Sequence, residues 1–513
     1  MTRLPLQTRA GSDPGGWAIR SDVHGAATWR EVADVTLRVA AVLRARDLGP
    51  ARRVLVVAGN RPSTVIAHAA CTLGGASSVP VNSHLTAGEI EYIAAECGAR
   101  VAFVDSVTED VTRDALARTG RSVEVVRLPD DGVAGGELAA FIGATPPLAL
   151  DPAQRVEPSL LFTSGTTGRP KAVQLRATVG AGDLAGFVEQ IGGHRLAGLG
   201  THLVVGPLYH NGPLTAVRLL LADVPLVIHH RFDAELVLAA IEKHRVESSI
   251  MVPTHFVRLL ALPADVRERA DVSSLRQVSH TGGSCPVAVK RAMIEWWGTV
   301  LSESYGGTES GTVCSINSSD WLAHPGSVGR TVAPFEALAV DDDGNELPRG
   351  AEGRLFFRDK TGRGIVYEGD PDKTAAAHIA PGVFTLGEIG TIDDDGYVYI
   401  TDRASDMVVS GGVNIYPAEV EQVVLQHADV LDVACIGVPD AEMGERLIAL
   451  VQLTGGAEAD PAALQAHCRS VLAGYKCPKE VRFVEQIPRN PMGKADKRAL
   501  RAAHSASGGA ARG

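Results

Sequence analysis

The stretch LLFTSGTTGRPKAV occupies residues 160–173 and is the most informative segment of this 513-residue chain. An apolar strand is predicted to end at Phe162 and to lead into a loop of glycines and hydroxyl side chains. Glycines let the backbone approach a ligand closely, and consecutive N–H groups beside hydroxyls and a lysine can bind phosphate oxygens. The spacing differs from that of a Walker A loop. A flexible surface loop is the alternative interpretation, but it does not explain so many donors beside a lysine. We therefore predict a phosphate-binding loop made of Thr163, Ser164, Gly165, Thr166, Thr167, Gly168 and Lys171.

Outward from this loop, short β-branched runs alternate with helical patterns. Such alternation predicts an α/β fold with a largely parallel sheet and helices on its faces. From about residue 335, the turn sequences DDDGNE and DDDG predict antiparallel strands, and a smaller α/β segment follows residue 406. The predicted strands are 53–59, 78–82, 100–105, 248–253 and 432–439, and the predicted helices are 62–75, 86–99, 234–246 and 418–428.

Composition and charge exclude several classes of protein. A chain of 513 residues is too long for one hydrophobic core, so at least two domains are expected. The net charge of −11 argues against a nucleic-acid partner held by phosphate attraction. Seven cysteines with no CxxC pair favour reduced thiols over a disulfide framework. The N-terminus has no apolar core typical of a signal sequence, and no apolar run reaches the ~18 residues of a membrane span. We therefore expect a cytoplasmic enzyme.

Further motifs follow the loop in a fixed order, and together they identify a family. The loop and these motifs closely resemble those of the adenylate-forming superfamily, which includes acyl-CoA synthetases, luciferases and peptide-synthetase adenylation domains. The resemblance covers the chain from about residue 20 to 502. The motifs are GPLYHNGP (206–213), HTGGSCP (280–286), SESYGGTES (302–310), FTLGEIG (384–390), TDRASDMVVSGGVNIYPAEVE (401–421) and PRNPMGKADKRAL (488–500).

The resemblance implies an α/β fold with two unequal domains. A large N-terminal domain of parallel α/β sheets plus a distorted β-barrel is expected over residues 1–401. A hinge over 402–406 and a small, mobile C-terminal α+β domain over 407–503 follow. The polar, Gly-rich tail over 504–513 is predicted to be disordered.

The resemblance also implies roles for single residues. Tyr305 would stack on adenine beside Gly283 and Ser284, and Thr308 would contact the α-phosphate. Glu309 would hold Mg²⁺, because a hard cation needs a carboxylate together with phosphate oxygens. The ribose would meet Glu388 and Arg403.

The remaining roles concern catalysis, the acyl group and coenzyme A. Lys494 would bridge the substrate carboxylate and the α-phosphate, and His210 would line the acid site or gate the route of coenzyme A. The acyl pocket would also involve Asn211, Gly306 and Gly307, the two glycines leaving room for a wide acyl group. Coenzyme A would pass Gly411 and Gly412, and Ser405 would be the hinge residue.

The implied function is that of an AMP-forming acyl-CoA synthetase, with ATP, Mg²⁺ and coenzyme A as co-substrates. The acid is expected to be bulky and apolar, such as a terpenoid or polyketide intermediate of secondary metabolism, since the motifs look most like those of bile-acid and cyclic-acid CoA ligases. The protein is expected to be a monomer or homodimer. Alternatives are an adenylation enzyme that loads a carrier protein and a non-catalytic nucleotide- or acyl-binding protein.

Glu388 stands where the family usually has aspartate, and Ser405 where it usually has lysine or aspartate. A glutamate carboxylate reaches roughly 1.5 Å further than that of aspartate. We therefore hypothesise that adenylation is weakened while thioester formation from a supplied acyl-adenylate persists. The enzyme would then be specialised for one half-reaction.

Overall fold

The computed structural model of the protein describes residues 3–163, 171–175, 182–367, 370–403, 406–410, 413–440, 443–458, 460–489 and 494–505. Its strands are Trp17–Ser21 (β1), Ala26–Thr28 (β2), Arg53–Val57 (β3), Ser77–Val81 (β4), Val101–Val104 (β5), Glu124–Arg127 (β6), Leu160–Thr163 (β7), Lys171–Gln174 (β8), His202–Val204 (β9), Leu226–Ile228 (β10), Ser248–Met251 (β11), Gln277–His280 (β12), Leu301–Gly307 (β13), Gly311–Asn317 (β14), Ser327–Thr331 (β15), Phe335–Val340 (β16), Gly353–Asp359 (β17), His378–Ala380 (β18), Val383–Phe384 (β19), Glu388–Ile392 (β20), Val398–Arg403 (β21), Val408–Ser410 (β22), Val413–Ile415 (β23), Val430–Asp440 (β24), Gly444–Leu453 (β25) and Glu480–Phe483 (β26).

Helices lie between most of these strands, and the four predicted helices correspond to α3, α4, α9 and α15. They are Pro5–Ser12 (α1), Trp29–Ala45 (α2), Pro62–Leu73 (α3), Ala87–Cys97 (α4), Glu109–Arg118 (α5), Gly136–Ile142 (α6), Leu184–Gly192 (α7), Asn211–Leu221 (α8), Ala234–His244 (α9), Pro253–Leu260 (α10), Ala264–Arg269 (α11), Val287–Trp297 (α12), Ser318–Ala323 (α13), Pro371–Ala376 (α14), Pro417–Val424 (α15), Pro461–Val471 (α16) and Lys497–Ser505 (α17).

The first part of the chain forms a parallel sheet in the order β4-β3-β5-β6, which confirms the predicted α/β organisation. Its inner strands β3 and β5 are mainly apolar and buried, as expected of parallel strands covered on both faces, whereas the edge strand β6 carries Glu124 and Arg127. Local signals fix the helix between β4 and β5. Thr86 and Glu89 form the predicted capping box, and Gly98 ends the helix with a φ of 64°. A left-handed conformation of this kind suits glycine at the end of a helix.

A second, larger sheet is parallel in its centre and antiparallel towards one edge. Strands β10, β9, β11, β12 and β13 are neighbours and run parallel. Strand β13 also pairs with β14 in antiparallel fashion, and the antiparallel arrangement continues through β15, β21, β20 and β17. The predicted antiparallel region is therefore present, and by hydrogen bonding it continues the parallel sheet. The carboxyl ends of β9, β11, β12 and β13 meet at one edge, where open α/β sheets bind their ligands.

The C-terminal part has a separate sheet in the order β23-β22-β25-β24, with β26 parallel to β25. Its core contains apolar side chains from α15 and α16. The predicted large N-terminal and small C-terminal domains are thus both present. Helix α17 extends through Ser505, two residues into the predicted disordered tail, so that prediction is wrong for His504 and Ser505. Residues 506–513 of the tail lie outside the described residues.

Two further expectations concern thiols and membranes. All seven cysteines are free thiols, and six of them are buried, which fits the expected reduced state. Within the described part of the chain, no helix is both long enough and apolar enough to cross a bilayer.

Candidate active site

A cavity of about 1110 Å³ opens at the carboxyl edge of the parallel strands. This volume exceeds the roughly 300–1,000 Å³ of a typical small-molecule site, so it can hold two ligand groups side by side. The loop after β12 contributes Gly283 and Ser284, and β13 contributes Tyr305 and Gly306. The C-terminal domain contributes Lys494 to the same cavity, so residues far apart in sequence face one space.

Tyr305 and Glu388 contribute polar groups to this cavity. The Tyr305 hydroxyl donates a hydrogen bond of 2.7 Å to Oε2 of Glu388, whose side chain is buried. Glu388 begins β20 and pairs in register with Arg403 of β21. The two strands therefore place the predicted ribose residues opposite one another, although only the backbone of Arg403 is described.

Glu309 lies in the turn between β13 and β14, next to Thr308. Its Oε1 accepts a hydrogen bond of 2.8 Å from the hydroxyl of Tyr367. Burial and the charge of Glu309 raise the pKa of Tyr367 well above its ordinary value, so the phenol stays protonated and remains a donor. Sequence reasoning did not single out Tyr367, which lies 58 residues from Glu309.

A metal ion at Glu309 would need oxygen ligands from a second source. No group of three or more His, Cys, Asp or Glu side chains among the described residues is suited to hold a metal. Mg²⁺ is usually bound by one or two carboxylates together with the phosphates of the substrate. Glu309 therefore fits a Mg²⁺ ion that arrives with a nucleotide.

His210 precedes helix α8 and lies close enough to Lys494 for the two groups to interact electrostatically. Burial, and secondarily the positive charge of Lys494, lowers the pKa of His210 to about 4. Its buried Nε2 has no hydrogen-bond partner among the described residues. His210 is therefore neutral near pH 7, so it can accept or donate a hydrogen bond without adding charge to the cavity.

Apolar and aromatic side chains from the segments that follow β9 and β10 and from helix α10 line another part of the cavity. The rings of Phe232 and His255 stack with centroids 4.1 Å apart and planes inclined by 4°. Burial lowers the pKa of His255 to about 3, so the stacked imidazole is uncharged. Sequence reasoning missed this wall, although its members follow strands at the same sheet edge. The other apolar members are Val205, Pro207, Val257, Ala261 and Val328.

A buried ion pair supports β13 from behind the cavity. Lys290 of α12 donates a hydrogen bond of 2.6 Å to Glu303, whose side chain also lines the cavity. The Lys290 ammonium lies 4.8 Å from the ring centroid of Trp321, and Nε2 of His280 lies 3.6 Å from Glu303. Burial raises the pKa of Glu303 and holds the pKa of His280 well below its ordinary value, so the histidine is neutral. No sequence motif could have revealed this pair, because only the packing of α12 on β13 brings it together.

Gly306 and Gly307 were predicted to make room for the acyl group. In the structure, neighbouring atoms of the same hairpin leave no space for a side chain at either position. A Cβ on Gly306 would collide with the carbonyl oxygen of Gly311, because β13 and β14 shift register at that point. A Cβ on Gly307 would lie 2.8 Å from Oε2 of Glu309. Asn211 lines a separate cavity of about 30 Å³ with His68, so its contact with the acyl group stays a prediction.

Several predicted site residues cannot be placed in full. Strands β7 and β8 pair Thr163 with Lys171, so both ends of the predicted phosphate loop are held together, but the side chains of these two residues are not described. The predicted residues outside the described parts are Ser164, Gly165, Thr166, Thr167, Gly168, Ser405, Gly411 and Gly412.

Comparison with known proteins identifies relatives over most of the chain. The profile of the AMP-binding enzymes matches residues 6–364, and that of the AMP-binding enzyme C-terminal domain matches residues 419–494. The chain is 36% identical to a methyl-dioxo-octahydro-indenyl-propanoyl:CoA ligase of Mycobacterium tuberculosis, over 92% of this chain and 93% of the relative. It is 31% identical to an indoleacetate–CoA ligase of Aromatoleum aromaticum, over 96% of both chains. Its fold is similar to that of ATP-bound MatB from Rhodopseudomonas palustris, with a TM-score of 0.82, 27% identity, and coverage of 98% and 99% of the two chains.

Proposed function

The chain belongs to the family of AMP-binding enzymes, and from that premise we propose that it is an AMP-forming acyl-CoA synthetase for a bulky, apolar carboxylic acid. It would join the acid to AMP first and transfer the acyl group to coenzyme A second. Both steps would use the cavity at the carboxyl edge of the parallel strands.

The observation that carries this proposal is the position of Lys494. This lysine belongs to the C-terminal domain, yet it lines the same cavity as Tyr305 and Glu388 and its charge reaches His210. A mobile ammonium at this place can neutralise a substrate carboxylate and an α-phosphate that approach each other. Placement of opposite charges before the reaction is the main source of catalysis in phosphoryl chemistry.

In the first half-reaction, a carboxylate oxygen of the acid attacks the α-phosphorus of ATP and pyrophosphate leaves. Lys494 would bridge the two reacting groups, Thr308 would contact the α-phosphate, and the 163–171 loop would bind the other phosphates. Glu309 would hold Mg²⁺, which supplies charge neutralisation on the phosphates when bound. Gly283, Ser284 and Tyr305 would bind adenine, and Glu388 and Arg403 would bind the ribose.

In the second half-reaction, the thiol of coenzyme A attacks the acyl carbonyl and AMP leaves. Lys494 would have to withdraw to open a path for the thiol. A rotation of the small domain about residues 402–406, centred on Ser405, would move it away and bring Gly411 and Gly412 to the site. A few linker residues are enough to absorb the backbone change of such a hinge.

The acid class rests on the chemistry of the cavity wall that contains Phe232 and His255. The stacked Phe232–His255 pair, together with Val257 and Ala261, contributes apolar surface there, and the guanidinium of Arg258 lies 5.9 Å from the ring centroid of Phe232. The Mycobacterium and Aromatoleum relatives are named for acids that carry two fused rings. We therefore propose a cyclic acid of similar width.

The decisive experiment is thioester formation, measured by mass spectrometry over a panel of fatty, aryl and polycyclic acids. One set of reactions receives acid, ATP, Mg²⁺ and coenzyme A, and the other receives synthetic acyl-adenylate and coenzyme A. Thioester in both sets, strongest for polycyclic acids, is the expected result. Lys494→Ala is the matched control, because it should strongly reduce the rate of product formation in the first set only.

Each other outcome identifies a different function. Product from the adenylates alone would mean that adenylation is lost and that the enzyme is specialised for the second half-reaction. AMP formation that needs a carrier protein instead of coenzyme A would identify a carrier-loading enzyme. Ligand binding without AMP formation would identify a binding protein and overturn the proposed function.

A further inference from the structure

The carboxylate of Glu309 is held in one orientation by two neighbours that lie far apart in sequence. On one side, Oε1 accepts the 2.8 Å hydrogen bond from Tyr367. On the other side, Oε2 lies over the α-carbon of Gly307, where even a methyl group would come within 2.8 Å of it. The side chain is therefore folded back along its own turn, with its two oxygens in different surroundings.

Tyr367 is itself fixed from several directions. It is buried in an apolar cluster with Phe357 and Phe384. Its backbone N–H donates a hydrogen bond of 3.0 Å to the hydroxyl of Thr374, in helix α14. The ammonium group of Lys373 lies 3.7 Å from the centroid of its ring. A phenol held in this way cannot follow Glu309 if the carboxylate moves, so it can define the carboxylate's position.

We propose that Tyr367 is a positioning residue for the divalent cation: its hydroxyl occupies Oε1 of Glu309 and leaves Oε2 to bind the metal beside the nucleotide phosphates. This inference rests on the proposed function, in which Glu309 holds Mg²⁺. A neutral phenol orients the carboxylate without cancelling its charge, whereas a lysine or arginine in direct contact would compete with the cation. Gly307 supports the same orientation by leaving space for the folded side chain.

The test compares Tyr367→Phe with the unchanged protein and with Tyr399→Phe. Tyr399 is a matched control, because its hydroxyl also donates to a carboxylate, that of Asp393, at 3.2 Å. Binding of Mn²⁺ in the presence of ATP is measured by the electron paramagnetic resonance of free Mn²⁺. Loss of a residue that orients a metal ligand typically weakens metal binding by about 10–100-fold. That loss is expected for Tyr367→Phe, and unchanged Mn²⁺ binding is expected for Tyr399→Phe.

ATP binding in the presence of EDTA separates a metal effect from a general loss of the site. It should be equal in all three proteins, since Tyr367 acts only through the cation. Gly307→Ala places a methyl group against the other oxygen of the same carboxylate and should weaken Mn²⁺ binding as well. This second variant tests the inference if Tyr367→Phe lowers the stability of the protein. Equal Mn²⁺ affinity of Tyr367→Phe and the unchanged protein would overturn the inference alone. Absence of ATP-dependent Mn²⁺ binding in the unchanged protein would overturn both the inference and the proposed role of Glu309.

Discussion

The buried ion pair of Lys290 and Glu303 should contribute strongly to the stability of the fold around the cavity, and substitutions of the two residues test this. Lys290→Met keeps most of the side-chain stem but removes its charge, and Glu303→Gln keeps the shape of its partner. In the intact protein the two groups are 2.6 Å apart, with 1% and 9% of their side chains exposed. Either single change leaves the other group buried without its counter-charge.

The geometry sets the size of the expected effect. At 2.6 Å and an effective dielectric constant of about 20, two unit charges attract each other by roughly 6 kcal/mol. The free-energy cost of removing both charged groups from water offsets part of this attraction. Removal of one partner from a buried pair therefore costs about 3–5 kcal/mol, because the remaining group is left in a poor environment. Replacement of both groups by apolar ones, as in Lys290→Met with Glu303→Leu, should cost less than either single change.

Urea unfolding followed by tryptophan fluorescence measures these differences, and buried Trp321 reports directly because it contacts Lys290. The control is Glu336→Gln, which breaks an exposed pair with Arg358 at 3.1 Å and should change the free energy of unfolding by about 0–1 kcal/mol. If both single variants at the buried site behaved like this control, the reasoning would be refuted. Since Glu303 lies two residues before Tyr305 in β13, the buried-site variants should also weaken ATP binding.

Three further predictions follow from the site and its surroundings. Lys494→Ala should slow pyrophosphate release by about 10²–10³-fold, as for loss of one charge-stabilising group, without slowing thioester formation from acyl-adenylate. Glu388→Asp should bind ATP roughly 2–10-fold more tightly in calorimetry, the equivalent of one hydrogen bond to ribose, and unchanged affinity would contradict this. Burial lowers the pKa values of His68, His202 and His255 from 6.5 to about 3. The unfolded chain therefore binds protons below pH 6.5 that the folded protein does not. The free energy of unfolding should then fall as pH decreases, by up to about 1.4 kcal/mol per histidine and pH unit, when urea unfolding is compared at pH 7.5 and 5.5.

The predictable parts of the fold are those that local sequence signals determine. The capping box of Thr86 and Glu89 and the glycine at position 98 predicted both ends of α4, because these residues satisfy the terminal backbone groups of the helix. The apolar runs of β3 and β5 were equally clear, since strands buried on both faces need no polar alternation. Because its composition is polar and rich in small residues, the C-terminal tail was predicted to be disordered from residue 504, although its first two residues belong to α17.

Contacts between distant segments could not be predicted in the same way. The resemblance to the adenylate-forming enzymes indicated roles for Lys494 and Glu309, but neither the approach of Lys494 to His210 nor the hydrogen bond from Tyr367 follows from spacing. The pairing of Lys290 with Glu303 could not be predicted for the same reason, since Lys290 lies on helix α12 and its partner on strand β13. Side chains of this kind are brought together by the register of strands and the packing of helices, which a single sequence does not encode as a motif.

The glutamate at position 388 shows how a contact between distant segments can change the effect of a substitution on the site. Its extra length alone would push the carboxylate roughly 1.5 Å further into the site than an aspartate. Strand β20 cannot retreat by that distance without losing its register with Arg403 in β21. The side chain instead reaches Tyr305, whose hydroxyl is bound to Oε2 at 2.7 Å. If this carboxylate meets the ribose as proposed, one of its oxygens is already engaged before the nucleotide arrives. The substitution should therefore act on ATP binding and adenylation, while thioester formation, which begins with the nucleotide already joined to the acid, is affected least.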